Sequence, residues 1–132
     1  MYYKLVDRIP VPIPPPLNPD DPTNIKDFSE AWSEKNRRVA ATYLTKDVWI
    51  STIFLVLDHG YSGVPKLFES MIFGGSRDGY QDRYSTWEEA AEAGHKKAVD
   101  VAFKALDKRV RSRIKRTEKR NLKKQTINNN KT

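Results

Sequence analysis

Trp49-Ile-Ser-Thr-Ile-Phe-Leu-Val-Leu-Asp-His-Gly60 is the stretch on which the fold turns. Its second half, Ile53-Phe-Leu-Val-Leu57, is apolar without alternation. A strand that buries one face alternates polar and apolar residues, whereas a strand covered on both faces does not need to. The stretch therefore predicts a central strand over Val48–Leu57. It ends where Asp58, His59 and Gly60 take the chain out of the core.

The neighbouring sequence supplies partners for that strand. From Ala40 to Ser85 the apolar residues recur with period two. Thr42-Tyr-Leu44 predicts the start of one strand, Leu67-Phe-Glu-Ser-Met-Ile-Phe73 another, and Gln81-Asp-Arg-Tyr-Ser85 a third, more exposed one. The intervening "DHGYSGVP" and "GGSRDG" are rich in Gly, Asp and Ser, so two hairpins are the simplest topology. Tyr2-Tyr-Lys-Leu-Val6 predicts a further short strand. Pro10–Pro22 holds seven of the eight prolines. It reads as an extended polyproline-like connector rather than helix or central strand, and as a spacer rather than a Pro-rich ligand.

Two capping boxes mark helices. Asp27-Phe-Ser-Glu30 predicts a helix of about three turns with Phe28, Ala31, Trp32 and Val39 near one face. Thr86-Trp-Glu-Glu89 predicts a longer one, whose small residues Ala90, Ala91, Gly94, Ala98, Ala102 and Ala105 suit close packing on the sheet. Beyond Leu106 only Val110 and Ile114 continue the stripe, and "KKQTINNNKT" is expected to be disordered unless bound. The expected fold class is α+β: an antiparallel sheet of about four strands with one short helix and one long C-terminal helix. Residues 1–106 form the expected domain, with the 10–22 connector inside it, and 107–132 a basic helical extension and tail.

Composition narrows the function classes. The 132 residues suffice for one ordinary domain with a core. With no cysteine, disulfides, thiolate catalysis and cysteine-held metals are excluded. The run Ile53–Leu57 is too short to span a bilayer and the N-terminus shows no signal-peptide pattern, so a soluble cytoplasmic protein with no membrane partner is expected. Charge is divided sharply. Lys104–Thr132 holds 12 Lys/Arg and 2 Asp/Glu, a net +10, which leaves −3 for the preceding residues. The pI of 9.6 thus describes the tail.

The chemistry-bearing residues are few. Asp58 and His59 end a strand, where functional side chains often stand, but neighbours in an extended chain point to opposite sides and cannot form their own dyad. A loop or capping role for Asp58 competes with general-base chemistry at His59. No G-x-S-x-G elbow, H-E-x-x-H, P-loop or dinucleotide fingerprint is present, so neither cofactor nor metal is expected. His59 and His95 with Asp58 and Glu69 have no diagnostic ligand spacing, and His95 reads first as a partly buried helix residue. Glu69 interrupts an apolar strand and needs a partner, for which Arg83 on the next strand is placed. The two readings are an ion pair on the sheet, or a polar pocket where Arg83 meets a phosphate and Tyr61, Phe73 or Tyr84 stacks on a ring. The tail residues Arg109, Arg111, Arg113, Lys115, Arg116, Lys119, Arg120, Lys123 and Lys124 would attract nucleic acid without sequence specificity, or serve as a solubilising or docking arm. Around the expected helix these charges are not confined to one face, which makes an electrostatic arm rather than a groove reader.

Taken together, "WISTIFLVLDHGYSG", "PKLFESMIFGG" and "DRYSTWEEAAEAGHKKAV" resemble a family of small phage and prophage proteins with the pattern STVFLGLDH, LLFETMVFGG and RYxTxxEAxxGH. The resemblance covers roughly residues 40 to 99, with Val56 where glycine is common. It implies a phage-encoded accessory protein and no reaction. Such proteins frequently act against host defence, some as anti-Thoeris or anti-CBASS sponges for nucleotide signals. The resulting expectation is a non-enzymatic counter-defence protein of an infected or lysogenic bacterium that sequesters a nucleotide-type ligand. Asp58, His59, Glu69, Phe73, Arg83, Tyr84 and His95 are its candidate ligand residues. The alternatives are nucleic-acid binding through the basic tail, or inhibition of a host defence protein. A homo-oligomer is expected from the aromatic sheet surface.

Overall fold

The computed structural model describes residues 2–13, 22–58 and 63–130. Among the described residues it is a mixed α+β structure in which a four-stranded antiparallel sheet and a two-stranded sheet accompany four α-helices.

Strands β1 (Tyr3–Val6) and β2 (Ile9–Pro12) form the small sheet. The predicted first strand is present, but the residues expected to begin the proline connector are β2 instead. The register explains how prolines fit there. Ile13 donates its N–H to the Tyr2 carbonyl at 2.9 Å, so alternate backbone nitrogens face β1, and those of Pro10 and Pro12, which carry no hydrogen, fall on the outer edge. Asp7 and Arg8 turn the hairpin at φ 50 and 69°, a two-residue reversal usually signalled by Asn-Gly. The rest of the predicted connector, 14–21, lies outside the described residues.

Helix α1 (Pro22–Trp32) begins earlier than the capping box implied, with proline in the first-turn position it tolerates best. Asp27 is therefore inside the helix rather than its cap, and its carboxylate meets Lys4 of β1 at 3.1 Å. Ser33 caps a second, one-turn helix, α2 (Glu34–Arg37). Val39, expected on the helix face, belongs to the next strand.

The main sheet runs β3-β4-β5-β6: Arg38–Tyr43, Trp49–Phe54, Phe68–Phe73 and Gln81–Tyr84. Both predicted hairpins, β4–β5 and β5–β6, are there, and the opening stretch supplies an interior strand. That strand stops at Phe54 rather than Leu57. Leu55 still donates to the Leu67 carbonyl at 2.7 Å, but Val56 turns to φ 69° and offers its carbonyl to Tyr3 N–H at 2.7 Å. The unalternating run is thus half strand and half corner, apolar because Leu55 and Val56 are buried where the small sheet joins the large one. Left-handed backbone costs a β-branched residue such as Val56 about 1–2 kcal/mol.

The Thr86 box caps as predicted, Glu89 N–H donating to Thr86 Oγ1 at 3.2 Å. The expected long C-terminal helix is present, separated by a short break from the helix that this cap begins. A π-turn segment, Glu89–Gly94, leads into α3 (His95–Lys104), and after a break α4 (Lys108–Asn130) begins with Asp107 Oδ1 accepting from Arg109 N–H at 2.8 Å. Residues 123–130, expected to be disordered, continue α4. No described helix is long and apolar enough to cross a membrane.

Two apolar clusters fill one face of the sheet. Phe54, Phe68, Leu67, Val56 and Ala90 gather at the end nearest the small sheet, and Ile50, Ile72, Val48, Ala98 and Ala102 at the other. Fully burying each large side chain stabilises by about 1.5–3 kcal/mol, so these clusters are the main cohesive element.

Candidate nucleic-acid interface

Strand alternation decides where the candidate residues stand. Glu69 and Arg83 are a directly opposed pair, and the ion-pair reading holds, with Arg83 Nε 2.9 Å from Glu69 Oε2. Glu69 is only 6% exposed, so the guanidinium supplies the partner a buried carboxylate requires. Two pairs along the same face, Phe73 stacks on Trp49 with centroids 4.4 Å apart, and Trp49 stacks on Tyr43 at 5.3 Å. This three-strand ladder leaves Tyr43, on the outer strand, 64% exposed.

Tyr84 and His95 lie on the other face. Tyr84 pairs with the fully buried Phe68, and its ring rests on Gly94, where any Cβ would strike it. Its hydroxyl is buried without a hydrogen-bond partner among the described residues. Burial, with a smaller contribution from the nearby Asp82 carboxylate, pushes the phenol up to about 12. Arg83 and Tyr84 therefore cannot line one pocket. Asp58 is half-buried beyond the corner at Val56, and His59 and Tyr61 lie outside the described residues.

His95 is at the centre of a buried hydroxyl chain. Its Nδ1 is 2.7 Å from Thr52 Oγ1 and its Nε2 2.8 Å from Thr42 Oγ1, while Thr52 Oγ1 is 2.5 Å from Ser70 Oγ. One residue from each of β3, β4 and β5 thus joins α3 between the two apolar clusters. Burial holds the imidazole below its usual pKa, so it is neutral near pH 7, one nitrogen donating and the other accepting. Hydroxyls occupy both nitrogens, and Thr52 and Ser70 are fully buried. The arrangement fixes strand register against the helix. It offers no approach for a substrate, and Glu69, on the opposite face, is no partner for this ring.

The basic residues take a different form. Along its 23 residues α4 carries ten Lys/Arg and one acid, Glu118. Three basic doublets recur every fourth residue: Lys115-Arg116, Lys119-Arg120 and Lys123-Lys124. Four-residue spacing stacks side chains on one side of a helix, so six cations share a broad face instead of circling the axis. The spacing was present in the sequence and corrects the expectation of charges all round the helix. The side of α4 nearest α3 bounds a cleft of about 850 Å³ lined by Leu44, Lys96, Val99, Phe103, Lys115 and Glu118, among others. Lys115 Nζ stands 5.7 Å from the centre of the half-buried Phe103 ring.

No family model, curated protein or solved structure matches the chain, so its function is argued from this geometry.

Proposed function

We propose that this protein is a non-enzymatic nucleic-acid-binding accessory protein and that α4 is its contact. The observation that carries the reading is the exposed helix with ten cations, six of them as doublets at four-residue spacing. Rows of Lys and Arg bind phosphate chiefly by releasing condensed counterions, which gives affinity without base readout. The mildly acidic sheet body contributes little attraction and leaves the electrostatics to α4.

Fluorescence anisotropy with labelled duplex DNA, repeated across salt concentrations, tests this. Six phosphate contacts give a log–log slope of about −5, and removing residues 107–132 abolishes the binding. Weak, salt-independent binding, or binding that survives the truncation, refutes it.

A second reading keeps the phage counter-defence role, with capture of a small nucleotide-type signal. Its support is the cleft between α3 and α4, which combines lysines with an aromatic ring. Free nucleotides and cyclic dinucleotides in a thermal-shift assay address it directly.

A further inference from the structure

We infer that the cleft between α3 and α4 receives an unpaired base of a single-stranded nucleic acid, with Phe103 as its stacking surface. The inference rests on the proposal that α4 binds nucleic acid, and adds which kind.

The cleft has the parts such a site needs. Phe103 offers a half-buried ring, flanked by Val99 and Leu44 as apolar walls. Lys96, Lys97 and Lys115 stand around it against two carboxylates, Asp100 and Glu118. Asp100 is held by Lys104 at 3.0 Å, and Lys97 reaches Asp82 at 3.8 Å, so the lining keeps a cationic balance beside the apolar floor. At about 850 Å³ the space suits a nucleotide with room for its neighbours. Lys115 Nζ lies over the ring, 5.7 Å from its centre, and an entering base takes its place on the ring while the ammonium shifts to the base's edge or phosphate.

Geometry selects the single strand. A base in a duplex has both faces covered and cannot use an aromatic side chain, whereas an unpaired base can. Lys115 belongs at once to the cleft and to the first doublet of α4. A strand whose base enters the cleft therefore meets the doublets at Lys119-Arg120 and Lys123-Lys124 as its backbone continues.

The test compares oligothymidylate of about 20 nucleotides with a duplex of similar length, using the full chain and its Phe103→Leu and Phe103→Tyr variants. Phe103→Leu is expected to weaken oligothymidylate binding roughly tenfold and leave the duplex unchanged, while Phe103→Tyr retains wild-type affinity. Circular dichroism melts confirm that both variants fold. The inference is overturned if Phe103→Leu changes neither affinity, if it lowers both equally, or if free thymidine monophosphate binds as tightly as the oligomer. Wild-type protein that binds neither probe overturns the α4 proposal itself and this inference with it, an outcome distinct from a silent Phe103→Leu.

Discussion

The sheet body and α4 are held by opposite means. The body is mildly acidic and owes its shape to long-range packing: two apolar clusters, a hydroxyl chain through His95 and a buried Glu69–Arg83 pair. Helix α4 is strongly basic and none of its described side chains is buried, Leu122 and Ile127 being 62% and 54% exposed. Its backbone relies on local effects: the Asp107 cap and good helix formers. Like charges four residues apart oppose that helix, so a polyanion that neutralises them stabilises it. One region spends its residues on folding and the other on charge.

That contrast can be broken in order of effect. Replacing the six doublet residues with glutamine should lower DNA affinity about a thousandfold at low salt while the melting temperature moves only about 2 °C. A comparable fall in both would mean that α4 supports the body, and calorimetry beside anisotropy decides. Within the body, Gly74→Ala should cost on the order of 3 kcal/mol in urea titration. Gly74 has φ 84° and an added Cβ would meet the Asp47 carbonyl group. Wild-type stability in this variant would show the β5–β6 turn to be far softer than its contacts indicate.

Thr52→Val keeps the shape but leaves His95 Nδ1 and Ser70 Oγ without their shared partner. A loss of about 2–3 kcal/mol is expected, with DNA affinity unchanged. A neutral result would show that the hydroxyl chain contributes nothing net.

The pH dependence has the same centre. Because His95 in the folded state has a pKa below its ordinary 6.5, the unfolded chain binds the proton first as pH falls. Stability is full above about pH 6.5 and declines below it, and His95→Gln should flatten that limb in melts taken at successive pH values. Tyr84 acts at the other end. With its phenol at about 12 against 10.0 unfolded, stability declines as pH rises between those values. Tyr84→Phe removes that limb and, because the hydroxyl has no described partner, should change stability at neutral pH by less than about 1 kcal/mol. A larger loss would reveal a hydrogen bond to that hydroxyl.

Much of the sheet was legible because its causes are local. Alternation over 68–73 and 81–84, and glycines where the backbone turns left-handed, place two hairpins without reference to the rest of the chain. The Thr86 cap was equally readable. The start of α1 was not, since Asp27 and Glu30 satisfy the capping pattern while Asp27 is engaged by Lys4 from another element. Nor was β2, because proline's missing donor matters only relative to a partner strand. The grouping of Arg83 with Tyr84 failed on the alternation that made the strand legible: neighbours on a strand serve opposite faces.

By itself the sequence determined the hairpins, the interior place of the Trp49 stretch, the division of charge and the doublet spacing of the tail. These depend on side-chain period, turn chemistry and composition, all properties of neighbouring residues. Only the tertiary structure decided that His95 ties three strands to a helix, that Val56 is a strained corner rather than strand, and that Phe103 meets Lys115 across a cleft. Those facts depend on which distant elements come into contact, and no local pattern carries that information.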